Sequence, residues 1–144
     1  MVTQGNAGLV QKVRRMMDKP TRQPWLLHGH VLVIDDDEPY RRIVALRLGS
    51  AGCTCHTAAT HDEGLRLLHT NPQISIAVLD YHMKGSEVAS LVTKIRAMRP
   101  DVILVGDSSL DRRSAFASLG VDRFLKKPWT PDDLTELLRD HDAR

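Results

Sequence analysis

Residues 31–40 read VLVIDDDEPY: four branched aliphatic side chains run straight into four acids, Asp35, Asp36, Asp37 and Glu38. An apolar run without alternation suits a strand covered on both faces, as in a parallel sheet. The pattern recurs along the chain. VLVI precedes a helical stripe with Ile43, Val44 and Leu48; CTCHTA precedes Leu65 and Leu68; ISIAVL precedes Val88, Leu91, Val92 and Ile95. VILV then leads to Phe116 and Leu119, and RFL leads to Leu134, Leu137 and Leu138. Five strand and helix pairs, joined by right-handed crossovers, predict an α/β domain with five parallel strands and helices on both faces. Helix starts agree with this. Thr60 with Glu63 makes a capping box, Thr130 with Pro131 and Asp133 makes a second good start, and Asp37 is placed to cap the first helix with Glu38 near its positive end.

The 144 residues, 42% of them apolar, fit one compact domain plus an extension. Cys53 and Cys55 stand too close along a strand to pair comfortably, so a reducing cytoplasm is the expected location. Alternation turns His56 away from both, which argues against a Cys/His metal site and for Cys55 as core filling. No apolar run approaches the roughly 18 residues of a membrane span, and the N-terminus lacks the apolar core of a signal peptide. The net charge is +2, but residues 1–30 hold five cationic side chains against Asp18, a net of +4, which leaves −2 for the remainder. The basic character is therefore local, and nucleic-acid binding by the core is not expected. Residues 1–29 carry a stripe of Leu9, Val10, Val13, Met16 and Met17, then a Pro-containing stretch with Trp25. This extension and linker either packs on the core or serves self-association, as in a homodimer, or partner binding.

Ligands of open parallel sheets bind beyond the carboxyl ends of the strands. Asp35 and Asp36 follow the first apolar run, Asp80 ends the third, Gly106, Asp107, Ser108 and Ser109 follow the fourth, and Lys126, Lys127 and Pro128 follow the fifth. Two carboxylates about 4 Å apart repel by roughly 4 kcal/mol at an effective dielectric near 20. A Mg²⁺ ion bound by hard oxygen ligands offsets that repulsion, and a lysine opposite adds to the compensation. Such a site is equipped for phosphoryl transfer, where positioning and charge neutralisation matter most.

At these residues the chain resembles a family. VIDDDEP, LDYHM and FLKKPW, in this order and at these intervals, are similar to the three signature regions of bacterial response-regulator receiver domains, which have the CheY-like, flavodoxin-like fold. The likeness runs from about residue 30 to residue 141. It implies that Asp80 accepts phosphate from a histidine kinase or phosphotransfer protein. It further implies that Asp36, with Asp35 mainly through water, and the backbone carbonyl of His82 hold Mg²⁺ beside Asp80. Lys127 would contact the phosphoryl group, with a Lys127–Pro128 bond that is commonly cis, and the side chain of His82 would modulate autodephosphorylation. Lys126 is read as a solvated neighbour.

Two departures stand out. Lys84 and Val88 replace the family's proline and glycine after the acceptor, which suggests a different loop path and a further cation near the site. Gly106 falls where the family has the Thr or Ser whose hydroxyl moves to the phosphoryl group; Ser108 is the candidate substitute, and Phe124 matches the family's aromatic partner. The expectation is a standalone Mg²⁺-dependent receiver, a signalling domain and not an enzyme beyond its own phosphotransfer and dephosphorylation. Its output would pass by partner docking, phosphate relay or the extension, unless the chain is one piece of a longer protein. The competing readings are a module of the same fold that docks a partner without phosphorylation, and an aspartate-nucleophile phosphohydrolase, which normally shows a Thr that the stretch after Asp35 lacks. No phosphate-binding loop or dinucleotide fingerprint is present.

Overall fold

The computed structural model describes residues 29–83 and 87–142. Strands and helices alternate as β1 (His30–Ile34), α1 (Glu38–Ser50), β2 (Thr54–Ala58), α2 (His61–Thr70), β3 (Ile74–Asp80), α3 (Val88–Met98), β4 (Ile103–Ser108), α4 (Arg113–Ser118), β5 (Arg123–Lys126) and α5 (Pro131–Asp142). The strands form one sheet in the order β2-β1-β3-β4-β5, and every neighbouring pair is parallel. This is the doubly wound order anticipated above. The apolar stripe of the N-terminal extension and Lys84 lie outside the described residues. No described helix is long and apolar enough to cross a membrane.

The unalternated strands are explained by two separate cores, one on each face. Val31 and Val33 of β1 join Val44 and Leu48 of α1, Trp129, and Leu134 and Leu138 of α5. Leu32 and Ile34 join Leu68 of α2, Leu91, Val92 and Ile95 of α3, and Phe116 of α4. Residues of the central strands β1, β3 and β4 are therefore mostly buried whichever way they point, while β2, at the edge of the sheet, is largely half-buried. β3 keeps this pattern across a register irregularity between His30 and Val31, where Ser75 is left without a partner. One expectation is corrected. Ile43, read as part of the buried stripe of α1, is 46% exposed, because Val44 and Leu48 stand one helical turn apart over the sheet and turn position 43 outward.

The helix starts form as their sequences require. Asp37 accepts a hydrogen bond from the amide of Tyr40 at 3.2 Å. Thr60 Oγ1 accepts from Glu63 N at 3.1 Å while Glu63 accepts from Ala59 N, one residue before the cap; at α5 the exchange is fully reciprocal, Thr130 Oγ1 accepting from Asp133 N and Asp133 Oδ2 from Thr130 N. Away from the site, Arg99 donates to the carbonyls of Leu68, Asn71, Pro72 and Ile74, which ties the α2–β3 connection to the end of α3. Nothing in the local sequence announces that clamp.

Gly106 has a packing role. A Cβ placed there would lie 2.4 Å from a ring carbon of Phe116, which is fully buried. Only a glycine lets that ring lie flat on β4. On the same face, His30 Nδ1 and His56 Nε2 meet at 2.9 Å with stacked rings. Burial first, and the neighbouring His30 second, hold His56 below the ordinary 6.5.

Two predictions follow from this packing. Gly106→Ala should cost about 1–3 kcal/mol in urea denaturation by forcing the Phe116 ring aside, and adding Phe116→Leu should return part of the loss. Because folding favours the neutral imidazole of His56, the unfolded chain takes up the proton first as pH falls below 6.5, and stability drops there. Thermal melts should therefore fall less between pH 7.5 and pH 5.5 in His56→Gln than in the wild type.

Candidate functional site

The site is built where β1, β3, β4 and β5 end together. Register places Ile34 beside Leu79 and Asp80 beside Asp107, so Asp35, Asp80 and Asp107 come to the same level of the sheet. All three are buried, and one oxygen of each lies within 4.8 Å of the others. Lys127, just past β5, reaches across this group. Its ammonium lies 2.5 Å from Asp35 Oδ2 and 3.1 Å from Asp80 Oδ1, and 4.6 Å from the centre of the Tyr40 ring. The backbone ladders continue past the strand ends to hold these residues in place: Asp35 N bonds Ala58 O, Tyr81 N bonds Asp107 O, and Lys127 N bonds Ser108 O. The Lys127–Pro128 peptide is cis, as the resemblance implied.

Asp35 is the best-satisfied of the three acids. Its Oδ1 accepts from Asp37 N at 2.9 Å, its Oδ2 takes Lys127, and its carbonyl accepts from Arg41 at 2.7 Å. Asp80 is held above the usual carboxylate range by burial and then by Asp35, against the opposing pull of Lys127 and the backbone of His82. The Lys127 ammonium, which burial alone would make less basic, is driven upward by Asp107, Asp35 and Asp80 together. One cation shared among several buried carboxyl groups leaves an excess of negative charge.

The sequence-predicted residues divide into two groups. Asp35, Asp80 and Lys127 meet directly. Asp36 is exposed and lines an adjoining cleft with Tyr81, His82 and Met83. Ser108 is buried, and its Oγ accepts from Leu110 N at 3.2 Å, a local turn contact. Gly106 faces the opposite side of the sheet, against Phe116, so a hydroxyl at 106 would point away from the carboxylates. The residue of β4 that does face them is Asp107.

Asp107 was not singled out from the sequence, although the alternation of β4 carried the signal. With 106 turned to the Phe116 face, 107 must face the other way. Its Oδ2 accepts from Trp129 Nε1 at 2.9 Å, while its Oδ1 is buried without a partner. Burial pushes its pKa up to about 7, against Lys127 and Trp129, with Asp35 and Asp80 adding to the rise.

The arrangement is a hard-oxygen donor set with one fixed ammonium, suited to a divalent cation and a phosphoryl group. Comparison with known proteins agrees. The sequence model of the Response regulator receiver domain matches residues 31–139. Over 115 residues the chain is 31% identical to the transcriptional regulatory protein GlrR of Escherichia coli, covering 78% of this chain and 26% of that protein. A putative NtrX-like response regulator of Rickettsia felis is 28% identical over 114 residues, 76% of this chain and 24% of its own. The chain thus spans about a quarter of these curated relatives. Among solved structures, a CheY-like receiver domain protein from Methanospirillum hungatei superposes with a TM-score of 0.66 at 26% identity, covering 78% of this chain and 92% of that one. A two-component response regulator implies a kinase partner in general. With fold, buried acidic site and sequence in agreement, the chain belongs to the family of response regulator receiver domains, the signalling domains of two-component systems.

Proposed function

We propose that this receiver accepts a phosphoryl group on Asp80 from a histidine kinase or histidine phosphotransfer protein, with Mg²⁺ at the acidic site, and passes its signal by docking a protein partner. The observation that carries this reading is the shared contact of Lys127 with Asp35 and Asp80 inside a buried acidic cluster.

The donor set fits the ion. Oxygens of Asp35, Asp80 and Asp107 are hard donors within 4.8 Å of one another, one Asp107 oxygen is buried and unpaired, and Asp36 lines the cleft that opens next to them. Asp35, Asp36, Asp80 and the backbone carbonyl of His82 are the proposed ligands, and the bound ion supplies neutralisation of phosphoryl charge. The chain's own residues do the rest. An oxygen of Asp80 attacks phosphorus, the bond from phosphorus to the donor imidazole nitrogen breaks, and that nitrogen keeps the electron pair and takes up a proton. The product is an acyl phosphate on Asp80. Lys127, already 3.1 Å from Asp80, is positioned to follow the developing oxygen charge.

Residues 30–141 form the proposed receiver and residues 1–29 an appended segment. Catalysis of any other reaction is not proposed. Cys53 and Cys55 are thiols and are not joined to each other in a disulfide, which suits a reducing compartment, and the cytoplasm is the proposed location. The second reading, docking without phosphorylation, is favoured by the absence of a β4 hydroxyl facing the carboxylates: Gly106 is turned against Phe116, Asp107 faces the site, and Ser108 Oγ is engaged by Leu110 N.

Incubation with acetyl phosphate and Mg²⁺ should add one phosphoryl mass, abolished by Asp80→Asn, chelation of the ion or Lys127→Ala; no added mass in the intact chain selects the docking reading. Once phosphorylated, His82→Ala should change the lifetime of the acyl phosphate severalfold, as followed by intact mass over time. An unchanged lifetime removes the role assigned to that side chain.

A further inference from the structure

Asp107 stands apart from the other acids of the site. Asp35 is satisfied through both carboxylate oxygens, and Asp80 shares Lys127 with it. Asp107 is equally buried, at 1% exposure, yet Lys127 makes its ion pairs with the other two. Trp129 fixes Asp107 through Oδ2, which leaves Oδ1 sequestered from water and unbonded. A buried carboxylate oxygen with no partner is costly, and native structures seldom leave one without an ordered water or ion. The charge count points the same way. One ammonium faces three carboxyl groups, and a divalent ion among them would favour the ionised form of all three.

We propose that Asp107 is an additional cation ligand particular to this chain, its Oδ1 completing a three-carboxylate set with Asp35 and Asp80 that holds a hard divalent ion before any phosphoryl group arrives. The inference rests on reading the cluster as the receiver's cation site. It differs from the resemblance, which places a neutral hydroxyl at the end of β4. It also gives Trp129 a role. That indole donates directly to the proposed ligand, so filling the site should alter its surroundings at the start of α5.

The test is titration of the full chain with Mg²⁺ and with Mn²⁺ in the absence of any phosphoryl donor, read by calorimetry. A parallel titration reads tryptophan emission in a Trp25→Phe background, which leaves Trp129 as the remaining indole. Asp107→Asn keeps the size of the side chain and an acceptor for Trp129. It should raise the Kd fivefold or more for both ions and suppress the emission change. Asp107→Ser should do the same, should Asp107→Asn fail to melt cooperatively. Trp129→Phe should lose the emission change while calorimetric binding persists.

A Kd changed less than fivefold by both substitutions overturns the proposal, as does a wild-type chain that binds neither ion at millimolar concentration or shows no emission change. Asp35→Asn separates the two ideas. Loss of binding there with none at Asp107→Asn sinks the extra ligand and leaves the cation site standing. Phosphoryl uptake on Asp80, judged by mass, stands or falls on its own.

Discussion

Like charges brought together without water set the terms for this molecule. The parallel sheet ends β1, β3 and β4 at one level, and each places a carboxyl group there: Asp35, Asp80 and Asp107. At an effective dielectric near 20, a close pair of ionised carboxylates costs roughly 4 kcal/mol, a large fraction of what a domain of this size retains as net stability, and the cluster answers by holding Asp80 and Asp107 above the usual carboxylate range. Lys127 recovers part of that cost through two short contacts, and the backbone ladders beyond each strand prevent the acids from moving apart. The fold holds the charges together, and their excess makes the site receptive to a cation and, through it, to phosphate.

The two faces of the sheet divide the labour at β4. Gly106 and Phe116 close one face by direct contact of a ring with bare backbone. Asp107 and Trp129 close the other with a buried hydrogen bond. Consecutive residues of one strand therefore serve opposite purposes, one by lacking a side chain and the other by burying a polar one. Phe124, aligned by resemblance with the family's aromatic partner on the fifth strand, is buried and packs near Phe116 with ring centres 6.0 Å apart. Trp129, just before α5, is hydrogen-bonded directly to the acidic cluster, while the space over Gly106 is occupied by a ring.

Much of the architecture was legible in the residues because it depends on local chemistry and on period. Unalternated runs such as VLVI and ISIAVL announce strands buried on both sides, and Thr60 with Glu63 or Thr130 with Asp133 announce helix starts through bonds made within four residues. The carboxyl-end rule then nominated Asp35, Asp80 and Lys127. The exposure of Ile43 was less accessible, because neighbouring positions in a helical stripe differ by about 100° and only the docking angle of α1 chooses between them.

By itself the sequence determined the order of elements, the parallel sheet and the acidic and basic residues at its carboxyl edge, since these follow from side-chain period and from contacts between near neighbours. Tertiary structure alone decided which acids meet. The register of β3 on β4 set Asp107 beside Asp80, and strand alternation turned Gly106 to the far side. Asp36 stayed at the surface while Asp35, its chain neighbour, was buried. The reason is that local alternation says only that 106 and 107 face opposite ways; which of them meets the carboxylates is fixed by register and packing across the whole sheet, between residues tens of positions apart.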